Sequence, residues 1–141
     1  MEKETLKIGE YGPIYTQFKD KPKEAILHLI KVKQGECKNA LYREDIGFIS
    51  LIWGENHPET HKGFGLKHII EKHGKDIEFA GFSIVDFIPL VVRFGNFNLK
   101  RSETGKRVYD SESFRCVVAC NGEKQWLLTA FIILKKPKAK P

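Results

Sequence analysis

The sequence lacks an apolar segment long enough to cross a membrane, and its N-terminus lacks the apolar core of a secretory signal. The longest apolar stretch, residues 126–134, has only nine residues, whereas a membrane-spanning helix needs about 20. The first seven residues include four charged side chains where a signal peptide would be apolar. We therefore expect no membrane contact and a cytoplasmic location.

Cysteine is scarce and badly spaced for disulfide bonds. The chain has three cysteines, Cys37, Cys116 and Cys120. Cys116 and Cys120 are four residues apart on a predicted strand, so about 13 Å separates them along it, which is beyond disulfide reach. The cysteines therefore favour a reducing compartment.

Motifs for metal ions and cofactors are also missing. The cysteine spacing matches no zinc site. The polar segment with Glu55, His57, Glu59 and His61 is interrupted by Pro58, which works against fixed ligand geometry. The chain contains no phosphate-binding glycine loop, dinucleotide fingerprint or serine or cysteine nucleophile motif. We expect neither a metal ion nor another cofactor.

The composition is that of one globular domain with a basic extension. The chain has 141 residues, 41% of them hydrophobic, and a formal net charge of +6, a length typical of a single domain. Residues 135–141 hold four lysines, so +2 remains on residues 1–134. We expect a domain over 1–134 and a solvated Lys/Pro tail over 135–141 that strengthens binding to polyanions.

The order of predicted elements indicates an α+β domain. Apolar periodicity and a stop at Gly35 predict a helix over residues 21–34, and the apolar run 46–53 predicts a buried strand. Two further helices are expected to end at Gly74 and Gly95. Pro89 suits the first turn of the second, although Val91-Val92 favour a strand there. The remaining sequence indicates an antiparallel meander, so helices should cover one face of an antiparallel sheet.

The clearest turn in this meander is Asn121-Gly122, a strong signal for a two-residue hairpin. With that turn, the numbers of paired residues sum to 243. Cys116 then pairs with Leu127, and Thr129 shares their face of the sheet. Thr129 is therefore expected to be a core threonine with a hydrogen-bond partner, unless it has a functional role.

A short predicted helix carries two histidines, His68 and His73, together with Lys67 and Lys72. Histidine can accept and release a proton near neutral pH, and lysine attracts phosphate, so the helix indicates acid–base chemistry on a phosphate ester. Five residues at about 100° each place the two histidines roughly 140° apart on an α-helix. We do not expect both to reach one small site unless the helix unwinds.

Three parts of the chain together resemble a known family. The segments that carry the resemblance are residues 23–36 with 45–54, residues 63–74, and residues 123–131. They are similar to the phage and polymorphic-toxin branch of the barnase/EndoU/colicin/RelE-like (BECR) ribonuclease superfamily. The resemblance implies N-terminal helices packed on a four- to five-stranded antiparallel sheet, as in barnase. It also implies a metal-independent endoribonuclease, delivered into a target cell or carried by a phage.

The resemblance also assigns catalytic positions. The histidine of the Gly-Leu-x-His-Ile element falls on His68 and the second histidine of that element on His73. The basic residue that opens the sheet falls on Arg107, with Lys100 or Arg101 as the alternatives. The threonine of Trp-Leu-Leu-Thr-Ala falls on Thr129.

RNA is the expected partner, and an acidic immunity protein or antitoxin is the expected inhibitor. Side chains expected to contact RNA are the basic residues near the predicted site and one tryptophan that can stack on a base: Lys67, Lys100, Arg101 and Trp126. Two other functions remain open. The chain could be a catalytically silent RNA-binding or phage structural module with the same fold, or an interaction domain whose tail does the binding.

Overall fold

The sheet is larger and less regular than the sequence predicts. In the computed structural model, which describes residues 7–60 and 62–133, eight strands form a mixed sheet and two more form a separate hairpin. The prediction of N-terminal helices on a four- to five-stranded antiparallel sheet is therefore wrong, although the domain is α+β.

The strands are β1 (Lys7–Gly9), β2 (Gly12–Tyr15), β3 (Glu36–Arg43), β4 (Gly47–Ile52), β5 (Glu55–His57), β6 (Lys62–Phe64), β7 (Asn96–Phe97), β8 (Lys106–Asp110), β9 (Phe114–Asn121) and β10 (Lys124–Ile132). The helices are α1 (Pro22–Val32), α2 (Gly65–His68), α3 (Gly74–Phe79) and α4 (Ile84–Phe94), and a π-helical turn over Ile69–His73 joins α2 to α3. The order of strands in the mixed sheet is β1-β2-β3-β4-β10-β9-β8-β7, and β5 and β6 form the separate hairpin.

Two parallel pairings make the sheet mixed. Strands β2 and β3 are parallel and α1 connects them, while β4 is parallel to β10, with Ser50 opposite Trp126. Strand β3 is not predicted from the sequence, because its alternation of buried and exposed residues is interrupted by a register shift between Cys37 and Leu41. Asn39, inside this shift, has a left-handed φ of 57°, and its N–H donates to Ser50 Oγ.

Helices α1 and α4 cover one face of the sheet, which we call the helix face. The Cys37 thiol of β3 approaches the Ala25 carbonyl of α1, and the Cys116 thiol of β9 approaches the Val91 carbonyl of α4. Helix α1 lies inside its predicted range. Helix α4 starts earlier than predicted, so Pro89 lies inside the helix rather than in its first turn.

The hairpin between β9 and β10 forms where predicted, but in another register. Lys124 pairs with Asn121 and Leu127 with Val118, because the turn consists of residues 122 and 123 instead of 121 and 122. A β-bulge then lies between Leu127 and Thr129. The predicted pairing of Cys116 with Leu127 is therefore wrong.

The bulge changes which side chains share a face. Leu127 and Ala130 are both fully buried on the helix face, three residues apart instead of two, because the bulge adds one residue. Trp126, Thr129 and Phe131 consequently lie on the opposite side of the sheet, which we call the second face. Thr129 does not share a face with Leu127, contrary to the prediction.

His61 and the predicted tail, residues 135–141, lie outside the described residues, and the division into domain and tail stays a prediction. No helix among the described residues is long and apolar enough to span a membrane.

Candidate active site

The π turn brings the two predicted histidines together. Gly74 has ordinary helical dihedrals and continues the helix instead of ending it, which corrects the prediction. Because a π turn extends the hydrogen-bond spacing to five residues, His73 lies above His68. Their rings meet edge to face with centroids 5.3 Å apart. The π turn is thus the departure from a regular α-helix that a site shared by both histidines requires.

A hydrogen-bond chain fixes the orientation of His68. Its Nδ1 lies 3.0 Å from Asn56 Oδ1, and Asn56 Nδ2 donates to Glu71 at 3.2 Å. Because the amide of Asn56 donates to the carboxylate, its oxygen faces His68, and Nδ1 of His68 must carry the proton. Nε2 of neutral His68 is therefore left as the proton acceptor. Burial, with a smaller effect from Lys72, lowers the pKa of His68.

His73 is held between His68 and β10. Its ring stacks on Phe131, with centroids 5.0 Å apart and an interplanar angle of 28°. Burial lowers the pKa of His73 to about 4, and the positive charges of His68 and Lys72 add to this effect. His73 is therefore neutral at pH 7, in the protonation state that a general base needs.

The pairing of β10 with β9 and of β9 with β8 connects the histidines to further side chains on the second face. Phe131 pairs with Arg115, and Arg115 pairs with Asp110; side chains paired in this way stand side by side on one face. Nε and Nη2 of Arg115 both donate to Asp110 Oδ2 at 3.1 Å. The histidine pair, Phe131 and Arg115 therefore form a continuous row.

Arg107 lies on the other face of the sheet. It pairs with Val118, which also pairs with Leu127, and Leu127 is a core residue. The nearby Cys120 thiol is the main reason that the pKa of Arg107 is raised, and Tyr109 contributes less. The structure does not bring Arg107 to the histidines, so its catalytic role stays a prediction from the resemblance alone.

Thr129 lies on the second face, two residues before Phe131 in β10. Its hydroxyl is enclosed and has no hydrogen-bond partner within the described part of the chain. The alternative of a hydrogen-bonded core threonine is therefore not observed. Trp126 lies further along the same face, with its ring 6.1 Å from that of Tyr11.

The other predicted RNA contacts lie at two ends of the row. Lys67 is in α2, next to His68. Lys100 and Arg101 are exposed in a turn where Asn98 Oδ1 accepts from the N–H of Arg101. Asn98 Nδ2 also donates to Asp110, so this turn continues the row from Arg115.

Comparison with protein families identifies one match. Residues 40–137, more than two-thirds of the chain, match the family described as phage-Barnase-EndoU-ColicinE5/D-RelE like nuclease1. The chain belongs to this nuclease family. No curated protein and no solved structure matches it.

The matched segment includes the histidine pair, Arg115, Thr129 and Phe131. It begins after α1, so α1 lies outside it. Family membership supports the expected resemblance and a nuclease-type domain, and it leaves the individual residue roles open.

One residue of the row, Arg115, was missed by sequence reasoning. In the sequence it is one of several basic residues in the strand region. Its position beside Phe131 depends on the β10 bulge, and no local pattern in the sequence reveals that bulge. The described residues include no cluster of three or more His, Cys, Asp or Glu side chains arranged to hold a metal ion.

Proposed function

We propose that the chain is a metal-independent endoribonuclease that cleaves RNA on the second face of its sheet. The observation that carries the proposal is the edge-to-face pair of His68 and His73, which Phe131 links to Arg115. Cleavage of RNA without a metal needs a base for the 2′-hydroxyl, an acid for the leaving 5′-oxygen and positive charge near the phosphoryl oxygens. These three groups provide all of them.

His73 takes the role of base. Its low pKa keeps it neutral at pH 7, so it removes the proton of the 2′-hydroxyl while the 2′-oxygen attacks phosphorus. The bond from phosphorus to the 5′-oxygen breaks, and the products are a 2′,3′-cyclic phosphate and a free 5′-hydroxyl.

His68 takes the role of acid. A phosphate beside it adds negative charge, which raises the pKa of a histidine and offsets the effect of burial. Nε2, left free by the bond of Nδ1 to Asn56, then gains a proton and delivers it to the leaving 5′-oxygen.

Arg115 stabilises the phosphoryl oxygens in this proposal. Arg115 uses Nε and Nη2 for Asp110, and Nη1 makes no bond to the described residues, so it can donate to a phosphoryl oxygen. The hydroxyl of Thr129 is enclosed, so its catalytic role stays a prediction from the resemblance alone.

Cleavage of total RNA in excess EDTA tests the proposal. Wild-type protein should cleave, and His73→Ala and His68→Ala should each lower the rate by about 10²-fold or more, the range of general acid–base catalysis. His57→Ala is the matched control, because His57 is exposed and outside the pair. Mass spectrometry of the fragments should detect terminal 2′,3′-cyclic phosphates.

Two results would contradict the proposal. RNA binding without cleavage would favour the catalytically silent RNA-binding or structural module. Loss of cleavage on chelation, restored by a divalent ion, would make the reaction metal-dependent.

An acidic inhibitor is the proposed protein partner. Lys100 and Arg101 are exposed at the end of the row, and carboxylates on a partner would replace the phosphates of RNA there. Expression without such an inhibitor should arrest growth, whereas His73→Ala should be tolerated. Normal growth with abundant soluble wild-type protein would argue against a toxin-type ribonuclease in the cytoplasm.

A further inference from the structure

The end of the sheet at β7 carries a run of exposed apolar side chains. Phe94 is 60% exposed, Phe97 45% and Leu99 76%, and all three lie within one short stretch of the chain. Single exposed apolar residues are ordinary, whereas several together mark an interaction surface. We call residues 93–107, which include these side chains and the turn that follows them, the β7 margin.

The outer edge of β7 is open to another strand. β7 is the last strand in the order of the mixed sheet, and it pairs with β8 alone among the described strands. The N–H of Asn98 donates to the Val108 carbonyl of β8. Because backbone groups of successive residues in an antiparallel strand point to opposite sides, the N–H and C=O of Phe97 point away from β8. An uncovered edge of this kind is a template for an added strand.

A pocket of about 370 Å³ lies beside this edge. Phe97 and Leu99 contribute apolar surface to its wall, and Lys106 and Arg107 contribute positive charge. The volume is at the small end of ligand pockets, which suits a side chain of a partner better than a whole cofactor. Where a peptide adds a strand to a sheet, pockets for its alternate side chains give the specificity.

The pocket belongs to the helix face. Phe97 pairs with Tyr109, which is fully buried in the core. Arg107 is two residues before Tyr109 in β8, and side chains two apart in a strand share a face. The histidine pair and Arg115 lie on the second face. A partner in this pocket therefore leaves the proposed cleavage face open.

Positive charge dominates the β7 margin. Its charged side chains are all exposed, and five basic ones against one acidic one give a net charge of +4: Arg93, Lys100, Arg101, Lys106, Arg107 and Glu103. The single carboxylate, Glu103, already lies 3.8 Å from Lys106 Nζ. Complementary charge attracts the right partner and repels wrong ones, so a partner of this surface is acidic.

We propose that the β7 margin binds an extended acidic segment of a partner protein, which adds a strand to the edge of β7. This inference goes beyond the proposed ribonuclease function and does not depend on it. Phe97 supplies the main-chain hydrogen bonds. On the helix face, an apolar side chain of the segment packs on Phe97 and Leu99, and an acidic side chain two residues away pairs with Arg107.

The observations favour a protein over RNA at this surface, although the charge would attract both. RNA makes no use of the main-chain groups at a strand edge. Proteins that bind single-stranded RNA stack its bases on aromatic rings, and Leu99, the most exposed of the three apolar side chains, has no ring.

Selection from a library of random peptides tests the β7 margin with the full-length protein. The bound peptides should be enriched in acidic and large apolar residues. An enriched peptide, synthesised with a fluorescent label, should bind Leu99→Ser at least about tenfold more weakly than wild type, since burial of one large apolar side chain contributes on that order. Arg107→Gln should also weaken binding and lower its salt dependence. Methylation of alternate peptide nitrogens should weaken it too, because it removes main-chain donors.

Ile8→Ser is the matched control. Ile8 is 73% exposed on β1, the strand at the opposite edge of the same sheet, so this variant should bind the peptide like the wild type. Equal losses in Leu99→Ser and Ile8→Ser would overturn the inference, as would enrichment of basic peptides or of none.

RNA binding separates the two classes of partner. In a filter assay, Leu99→Ser and the wild type should bind single-stranded RNA equally. Weaker RNA binding by the variant would assign the β7 margin to RNA and overturn the protein partner. Both measurements are of binding alone, so they decide the inference whether or not the protein cleaves RNA.

Discussion

Gly63 lies so close to the ring of His68 that a side chain would not fit between them. A β-carbon on Gly63 would stand 2.5 Å from Nδ1 of His68 and 3.0 Å from Oδ1 of Asn56. The backbone of β6 at Gly63 therefore packs directly against the hydrogen bond between Asn56 and His68, which orients this histidine. The position of His68 depends on the absence of a side chain at residue 63.

Gly63→Ala should consequently lower RNA cleavage by about tenfold or more without removing a catalytic group, because small misplacements of such groups are costly. Gly74→Ala is the matched control: Gly74 is helical, and a β-carbon there meets nothing within 4 Å. That variant should keep its activity and be slightly more stable, since alanine reduces the freedom of the unfolded chain. Equal activity of the two variants would show that the contact of Asn56 with His68 is unimportant.

The low pKa of His73 predicts how stability depends on pH. The folded pKa of about 4 is below the ordinary value of 6.5, so between these values the unfolded chain binds more protons than the folded chain. Stability from this group is complete above pH 6.5 and decreases as the pH falls towards 4, by up to about 1.4 kcal/mol per pH unit. Urea denaturation from pH 4 to 8 should show a shallower decrease for His73→Ala than for the wild type.

The same pKa predicts the acidic limb of the rate profile. If His73 is the base, kcat/KM should stay near its plateau down to about pH 5 and decrease around pH 4, because the neutral form persists there. Measurements on a short RNA from pH 3.5 to 8 would reveal this limb. A decrease centred near pH 6.5 would indicate an unperturbed histidine as the base instead.

Arg115 and Arg107 allow a direct comparison of the two faces. Arg115→Ala should lower cleavage by about tenfold or more, because it removes positive charge beside the histidines. Arg107→Ala should have the smaller effect, because it changes the helix face. Melting temperatures of both variants control for the loss of the contact between Arg115 and Asp110. A greater loss in Arg107→Ala would return the phosphate-binding role to the residue indicated by the family resemblance.

Removing residues 135–141 should weaken RNA binding and leave turnover at saturating RNA nearly unchanged. The deletion removes four lysines, and each lost phosphate contact lowers the log–log salt slope by about 0.7 on single-stranded RNA. Filter binding of full-length and truncated protein from 50 to 300 mM salt measures the slope. An identical slope would show that the lysines do not contact RNA.

Local sequence patterns predicted α1, the strand around Ile49, the hairpin near Asn121 and the helix that carries His68, because each depends on residues close in the chain. The π turn was not predictable in this way, since residues 63–74 fit an ordinary α-helix. The register shift at Asn39 and the bulge at Leu128 both depend on pairing with distant strands. Sequence could therefore name the histidines, but it could not place Arg115 beside them or show Arg107 on the other face.

The parallel pairing of β10 with β4 also has a consequence during protein synthesis. β10 lies between β4 and β9 in the sheet, yet it leaves the ribosome after both, since chains are made from the N-terminus at about 5–20 residues per second. Until β10 is inserted, Phe131 cannot support His73 and the row to Arg115 is absent. In the proposed ribonuclease, the face that would cleave RNA is therefore assembled only when β10 joins strands that have already been made.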